Sequence, residues 1–400
     1  MVRVLLGFIY HSISGPATSC LIREGAWLTR LSARQWMYDM HTQQFTGLAE
    51  MQLPLSPAFI DFLARWLDHS GFAGERWFDQ RSETLSNLRA DIHGKARYRL
   101  ERILSHEAAH TAIEAVYRRF YELATRRSTT LEQALSSYRF IAVVGAPRTG
   151  GSYLTAELFR ALGYEPAAVP AALAHDGFPD AKPVSISNGG NAWLGTLLST
   201  SQYLTMIELF FASRAGEQPV IVPKKLTKSV YAGSFFNTLL GNEAEYLVTI
   251  RDPIGCCVSM YEKSGGLPAD GLFKARSTME RWIRRDLSHT GVSASELECM
   301  EYFSAYVRYW EQYYINLAMS GLTANRKRTV VAFGERSMEE AARLQHSRLG
   351  SSYSAGKFVA PPSSCARHSQ WVQRSEAAME RVAAVWRLVG LPFPAAELQY

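Results

Sequence analysis

Four hundred residues exceed what one compact core usually holds, so two or three domains are expected. With 47% hydrophobic, 20% charged and 12% aromatic residues, the composition excludes a disordered or fibrous chain. A formal net charge of +6 and a pI near 9.0 favour anionic ligands; nucleic acid, acidic lipid and a polyanionic nucleotide all fit that charge.

The start, Met1-Val-Arg-Val-Leu-Leu-Gly-Phe-Ile-Tyr10, carries a short apolar run without a small-residue cleavage site, and no stretch is long and apolar enough to span a bilayer. Cys20, Cys256, Cys257, Cys299 and Cys365 are odd in number and contain no Cys-x-x-Cys pair. That argues against a disulfide framework and a thiolate zinc site. The expectation is a cytoplasmic protein without an integral membrane segment.

Residues 1–136 read as a helical N-terminal region. Ser56 followed by Pro57 gives a cap and a first-turn proline for a helix over Pro57–Leu67. A second helix is predicted over Glu101–Arg126, with Ile113, Val116, Phe120 and Leu123 forming one apolar stripe. That helix contains His106-Glu107-Ala-Ala-His110, the His-Glu-x-x-His pattern of zinc hydrolases, with Glu132 as a conceivable third ligand. An Ala- and Glu-rich packing helix generates the same letters by chance.

From residue 137 the pattern changes. Tyr138–Gly145, Pro219–Pro223, Glu245–Ile250 and Arg328–Phe333 are short β-branched runs of the kind that fill parallel strands. Helical patterns separate or follow them: Tyr153–Leu162 stopped by Gly163, a segment at about 276–320 that includes Met300–Ala318, and Arg374–Leu388. The fold class expected for residues 137–400 is α/β, with a central, mainly parallel sheet flanked by helices. Ligands of such sheets bind beyond the carboxyl ends of strands.

Two motifs sit at those ends. Gly145-Ala-Pro-Arg-Thr-Gly-Gly-Ser152 has the spacing of a P-loop, but Gly151 occupies the lysine position. Glycines and the following helix N-terminus make an anion cradle, and Arg148 adds a permanent cation. The missing lysine counts against an ATP-using kinase, in which Asp252 would hold magnesium. Ile250-Arg-Asp-Pro-Ile-Gly-Cys-Cys-Val-Ser-Met-Tyr261 places Arg251 and Ser259 two helical turns apart. Each motif also has a plain structural reading: a tight strand-to-helix turn, and an Arg251–Asp252 ion pair.

Taken together, Ala146-Pro-Arg-Thr-Gly-Gly-Ser-Tyr153 and Arg251-Asp-Pro…Ser259-Met-Tyr261 resemble the two nucleotide-binding segments of the sulfotransferases that use 3′-phosphoadenosine 5′-phosphosulfate (PAPS). The resemblance covers roughly residues 138–392 and includes a weaker late-strand match at Thr329–Ser337. It implies a P-loop NTPase-like three-layer fold with the N-terminal helices as an extension. It implies that Thr149, Gly150, Gly151 and Ser152 wrap the 5′-phosphate, that Tyr153 stacks on adenine, and that Arg148 stabilises the leaving phosphate. Arg251 and Ser259 would hold the 3′-phosphate. No metal is implied; PAPS is the co-substrate, and the acceptor is a small molecule or carbohydrate rather than nucleic acid.

The segment that supplies a base in many members reads Val222-Pro-Lys-Lys-Leu226 here, without imidazole or carboxylate. Lys224 or Lys225 is expected at the transferring group, and His175 is the alternative base. Tyr302–Tyr314 and Pro170–Asn191 are candidates for shaping the acceptor pocket. The N-terminal region either covers that pocket or forms a homo-oligomer contact. A binding protein without turnover is a further reading.

Overall fold

The computed structural model describes residues 55–67, 105–125, 135–175, 189–214, 219–324, 327–361 and 366–398, with the single positions 103, 133, 179, 216, 217 and 364. Its first elements are α1 (Pro57–Leu67), α2 (Glu107–Thr125), β1 (Tyr138–Val144), α3 (Gly151–Ala161), α4 (Ala171–Ala174) and α5 (Gly189–Phe210). Next come β2 (Val220–Lys225), α6 (Gly233–Leu240), β3 (Glu245–Ile250), α7 (Pro253–Lys263) and α8 (Thr278–His289). The remainder is α9 (Ala294–Glu298), α10 (Tyr302–Met319), β4 (Arg328–Ala332), α11 (Glu335–Arg348) and α12 (Val372–Leu388).

These elements divide into two compact units. Among the described residues, one unit holds α1, α2 and α5, and the other holds the remaining elements. The units therefore interleave along the chain, with α5 joining α1 and α2.

In the helical unit, Ser56 caps α1 as its sequence predicts: its Oγ accepts from the Phe59 N–H at 3.2 Å and donates to Gln202 Oε1 of α5 at 2.8 Å. Helix α2 begins at Glu107, six residues later than periodicity suggests, and buries Ala109, Ala112, Ile113, Val116 and Tyr117. Arg119 ties it to α5 through Thr205 at 2.8 Å and Glu208 at 3.1 Å.

The other unit is built on a four-stranded, all-parallel sheet of order β2-β1-β3-β4. Every residue of β3 and the last five of β1 are buried, as strands covered on both faces require. Ile141, Val143, Leu247 and Val331 meet Leu154 and Leu158 of α3 and Met338, Ala341 and Ala342 of α11 in one cluster. Phe140, Ala142 and Val144 alternate to the opposite face and are equally buried. Full burial of each large aliphatic side chain contributes about 1.5–3 kcal/mol.

Sequence and structure agree at the carboxyl end of α3. Gly163, at φ 82°, closes α3: its N–H bonds the Arg160 carbonyl at 2.9 Å and the Tyr164 N–H bonds that of Phe159 at 3.0 Å. The aromatic stretch of α10 is a correction. Tyr302, Tyr306, Tyr309, Trp310, Tyr313 and Tyr314 are almost wholly buried and form core, not a pocket wall. Their polar ends reach backbone: Tyr313 donates to the Thr227 carbonyl at 2.7 Å, Tyr314 to that of Thr249 at 2.9 Å and Trp310 to that of Arg251 at 3.0 Å. Helix α10 thus pins the carboxyl ends of the sheet.

Candidate functional site

Between the end of β1 and the start of α3 the chain makes the turn 145–150. Gly145 is required by close approach: a Cβ there would lie 2.5 Å from the Thr249 carbonyl oxygen and 2.7 Å from Thr149 Oγ1. Thr149, 1% exposed, donates to the Ala146 carbonyl at 2.8 Å and lies 2.8 Å from Thr249 Oγ1. The turn is thereby bolted to β3. Gly145→Ala should cost at least ~2 kcal/mol and lower Tm by roughly 4–8 °C, because the obstacle is backbone; thermal unfolding followed by circular dichroism checks this.

Arg148 adopts φ 75°, alone among the described non-glycine residues in having positive φ, and Gly150 follows at 84°. A side chain in this region costs about 1 kcal/mol, so the turn carries strain where its cation sits. Helix α3 has no side-chain cap at Gly150. Its first-turn amides are thus left to water or an anion.

The second motif closes on the first. Asp252 caps α7 by accepting from the Gly255 N–H at 2.6 Å, and Pro253 takes the first helical position. Ser259 consequently faces inward, where its Oγ accepts from Arg148 Nε at 2.8 Å. Arg251 is 5% exposed. Its guanidinium lies 4.2 Å over the Phe333 ring, and Gly255 leaves it room, since a Cβ there would meet Arg251 Nε at 2.6 Å. Arg251 Nε has no hydrogen-bond acceptor among the described residues; its ion pair to Asp252 spans 3.8 Å.

Charge does not balance here. Burial and, next, the Arg251 guanidinium lower the proton affinity of Arg148, although arginine stays charged. Burial pushes the Cys256 thiol up to about 12 and the Tyr306 phenol well above its usual value, so these neighbours remain neutral. Glu262, the other acidic group acting on Arg148, pairs with Arg367 at 3.4 Å. A buried guanidinium and a half-buried one, facing only Asp252 at 3.8 Å and the shared Glu262, favour an anion.

The adjacent lysines separate. Strand alternation sends Lys224 and Lys225 to opposite faces. Lys224, 1% exposed, donates to the carbonyls of Ala172, Leu173 and His175 at 3.3, 2.9 and 2.8 Å, and so caps the carboxyl end of α4. Lys225 turns to the start of α3: its Nζ lies 3.2 Å from Ser152 Oγ and 3.4 Å from His175 Nε2. Gly151 lies beside this lysine: a Cβ there would meet Lys225 Cε at 3.4 Å, an ordinary van der Waals contact. Burial first, then Lys225, Lys224 and Lys228, holds the His175 imidazole well below its usual value, so the ring is neutral.

The site thus brings together Arg148, Thr149, Gly150, Gly151, Ser152, Arg251, Ser259 and Lys225, with His175 beside Lys225. Tyr153 packs its ring 4.8 Å from Phe358 and donates its hydroxyl to the Gly356 carbonyl at 2.6 Å. Tyr261 lies 2.9 Å from His368 Nε2. Phe333 and Thr249 escape the motif reading, although each stands within one residue of a predicted strand end. His106 immediately precedes α2 and is exposed, with its carbonyl accepting from the Ala109 and His110 N–H groups. Among the described residues no group of three or more His, Cys, Asp or Glu is placed to hold a metal. Glu132 and most of 170–191 fall outside the described residues, and no described helix is long and apolar enough to cross a membrane.

No family model matches this chain, and neither does any curated protein or solved structure.

Proposed function

We propose that this chain is a sulfotransferase that moves a sulfuryl group from PAPS to a hydroxyl acceptor, releasing 3′-phosphoadenosine 5′-phosphate (PAP). The observation that carries the reading is the pair of guanidinia, buried Arg251 and half-buried Arg148, drawn together by two motifs about a hundred residues apart. A nucleotide bearing phosphates at both 3′ and 5′ supplies the missing negative charge at two points.

In this reading the 5′-phosphate takes the uncapped first-turn amides of α3, and Arg251 takes the 3′-phosphate with Ser259. Lys225 brings from β2 the ammonium that Gly151 removes from the turn. The acceptor oxygen attacks sulfur as the bond from sulfur to the bridging oxygen breaks, and the bond's electron pair stays on the leaving phosphate. Arg148 and Lys225 stabilise the charge that develops there. His175 Nε2, unprotonated at neutral pH, takes the acceptor's proton. The acceptor is a small molecule or carbohydrate.

Calorimetry with PAP, AMP and ATP tests the reading. PAP is expected to bind at least tenfold more tightly than either mononucleotide. Equal affinity for the three sinks it, and preference for ATP favours a phosphotransferase instead.

A further inference from the structure

Residues 353–360 form neither helix nor strand, yet their backbone is held at alternate positions by carboxylates of two helices. The Gly356 N–H donates to Glu157 of α3 at 2.9 Å, that of Phe358 to Glu339 of α11 at 3.1 Å, and that of Ala360 to Glu335 at 3.3 Å. This is the period of a β-strand satisfied by side chains in place of a neighbouring strand. His346 fixes the start of the segment, with Nδ1 2.9 Å from the Tyr353 carbonyl and Nε2 3.1 Å from Glu157. The segment therefore behaves as a strap laid across α3 and α11.

The strap aims Phe358 inward, where it is 9% exposed. Its ring lies 4.8 Å from Tyr153 and 5.3 Å from Phe333. Tyr153 follows Ser152 in the first turn of α3, where the first motif ends, and Phe333 is the ring on which the Arg251 guanidinium rests at 4.2 Å. One side chain outside both motifs thus touches a ring of the first motif and the ring beneath Arg251.

We infer that Phe358 is a positioning residue that fixes the spacing of the two arms and so sets the preference for a nucleotide 3′,5′-bisphosphate over a 5′-monophosphate; this rests on the proposed function. Removing the ring lets Tyr153 and Phe333 relax independently. A ligand bridging both arms then loses more than a ligand held by one. A purely structural role weakens both ligands in proportion to the fraction folded, leaving their affinity ratio unchanged.

The test uses the full chain and two readouts. Calorimetry compares PAP with AMP on the parent and on Phe358→Ala, and peptide mass spectrometry follows phenylglyoxal modification of Arg251 without nucleotide. Phe358→Ala is expected to lower the PAP-to-AMP affinity ratio at least tenfold and to speed Arg251 modification at least threefold. Phe358→Leu, which keeps volume without the aromatic edge, should shift both in the same direction by less and decides the matter if the alanine variant does not fold. An unchanged ratio in a folded variant, or an unchanged modification rate, overturns the inference. A parent ratio near one instead removes the proposed function, and the Arg251 rate then judges the coupling alone.

Discussion

Replacing Arg251 with alanine should weaken PAP binding about a hundredfold, or about 2.7 kcal/mol, and leave AMP affinity within about threefold. The size follows from the loss of charge-assisted hydrogen bonds, worth about 1.5–3 kcal/mol each. Selectivity follows from position: Arg251 immediately follows β3 and belongs to the second motif, not to the turn that takes the 5′-phosphate in the proposed reading. Stability supplies an independent check. Because Arg251 Nε has no acceptor among the described residues and its ion pair spans 3.8 Å, truncation relieves a buried charge as well as removing its stacking on Phe333. Ligand-free Tm should therefore shift little, while the rise in Tm produced by PAP disappears. Equal losses for PAP and AMP would mean that Arg251 only supports the fold.

Lys224→Met and Lys225→Met should separate stability from ligand binding at adjacent positions. Lys224 holds three backbone carbonyls in a nearly water-free place. Without its ammonium those oxygens lose their donor, at a cost of about 3–5 kcal/mol. Chemical denaturation should show that loss, with PAP affinity of the folded fraction nearly unchanged. Lys225 is half-buried and stands at the turn, 3.2 Å from Ser152 Oγ. Its replacement should cost less than about 1 kcal/mol of stability but reduce turnover on labelled PAPS about a hundredfold, as loss of a transition-state charge partner does. If Lys225→Met destabilises more than Lys224→Met, the division of labour fails.

Much of the sheet was legible because its strands announce themselves. Glu245–Ile250 has the bounds its sequence predicts: Tyr246, Leu247, Val248 and Ile250 make the run of a strand buried on both faces, with Glu245 and Thr249 buried among them. The start of α2 was not legible: the Ala- and Glu-rich run around His106 continues a helical pattern without a breaker, so nothing local marks where winding begins. At the candidate site, Arg148, Thr149, Ser152, Arg251 and Ser259 could be named from two motifs and the resemblance these carry, and the Arg148–Ser259 bond is what joins the motifs in space. Lys224 and Lys225 could not be told apart. Alternation requires them to point oppositely, but which one meets the turn depends on the register of β2 against β1, where Val143 pairs with Lys225. Phe333 and Phe358 were invisible for a related reason: each matters through rings far away in sequence.

The same distances govern how the protein reaches its working form. Arg148 meets Ser259 across 111 positions and Thr149 meets Thr249 across 100, with Phe333 later still. A chain leaving the ribosome amino end first exposes the turn 145–150 long before its partners exist, and parallel crossovers form slowly because long loops must close first. The turn therefore has no early, complete version. On the proposed function, nucleotide binding appears only when the last strand docks, making occupancy of the site a report on completed assembly of the sheet.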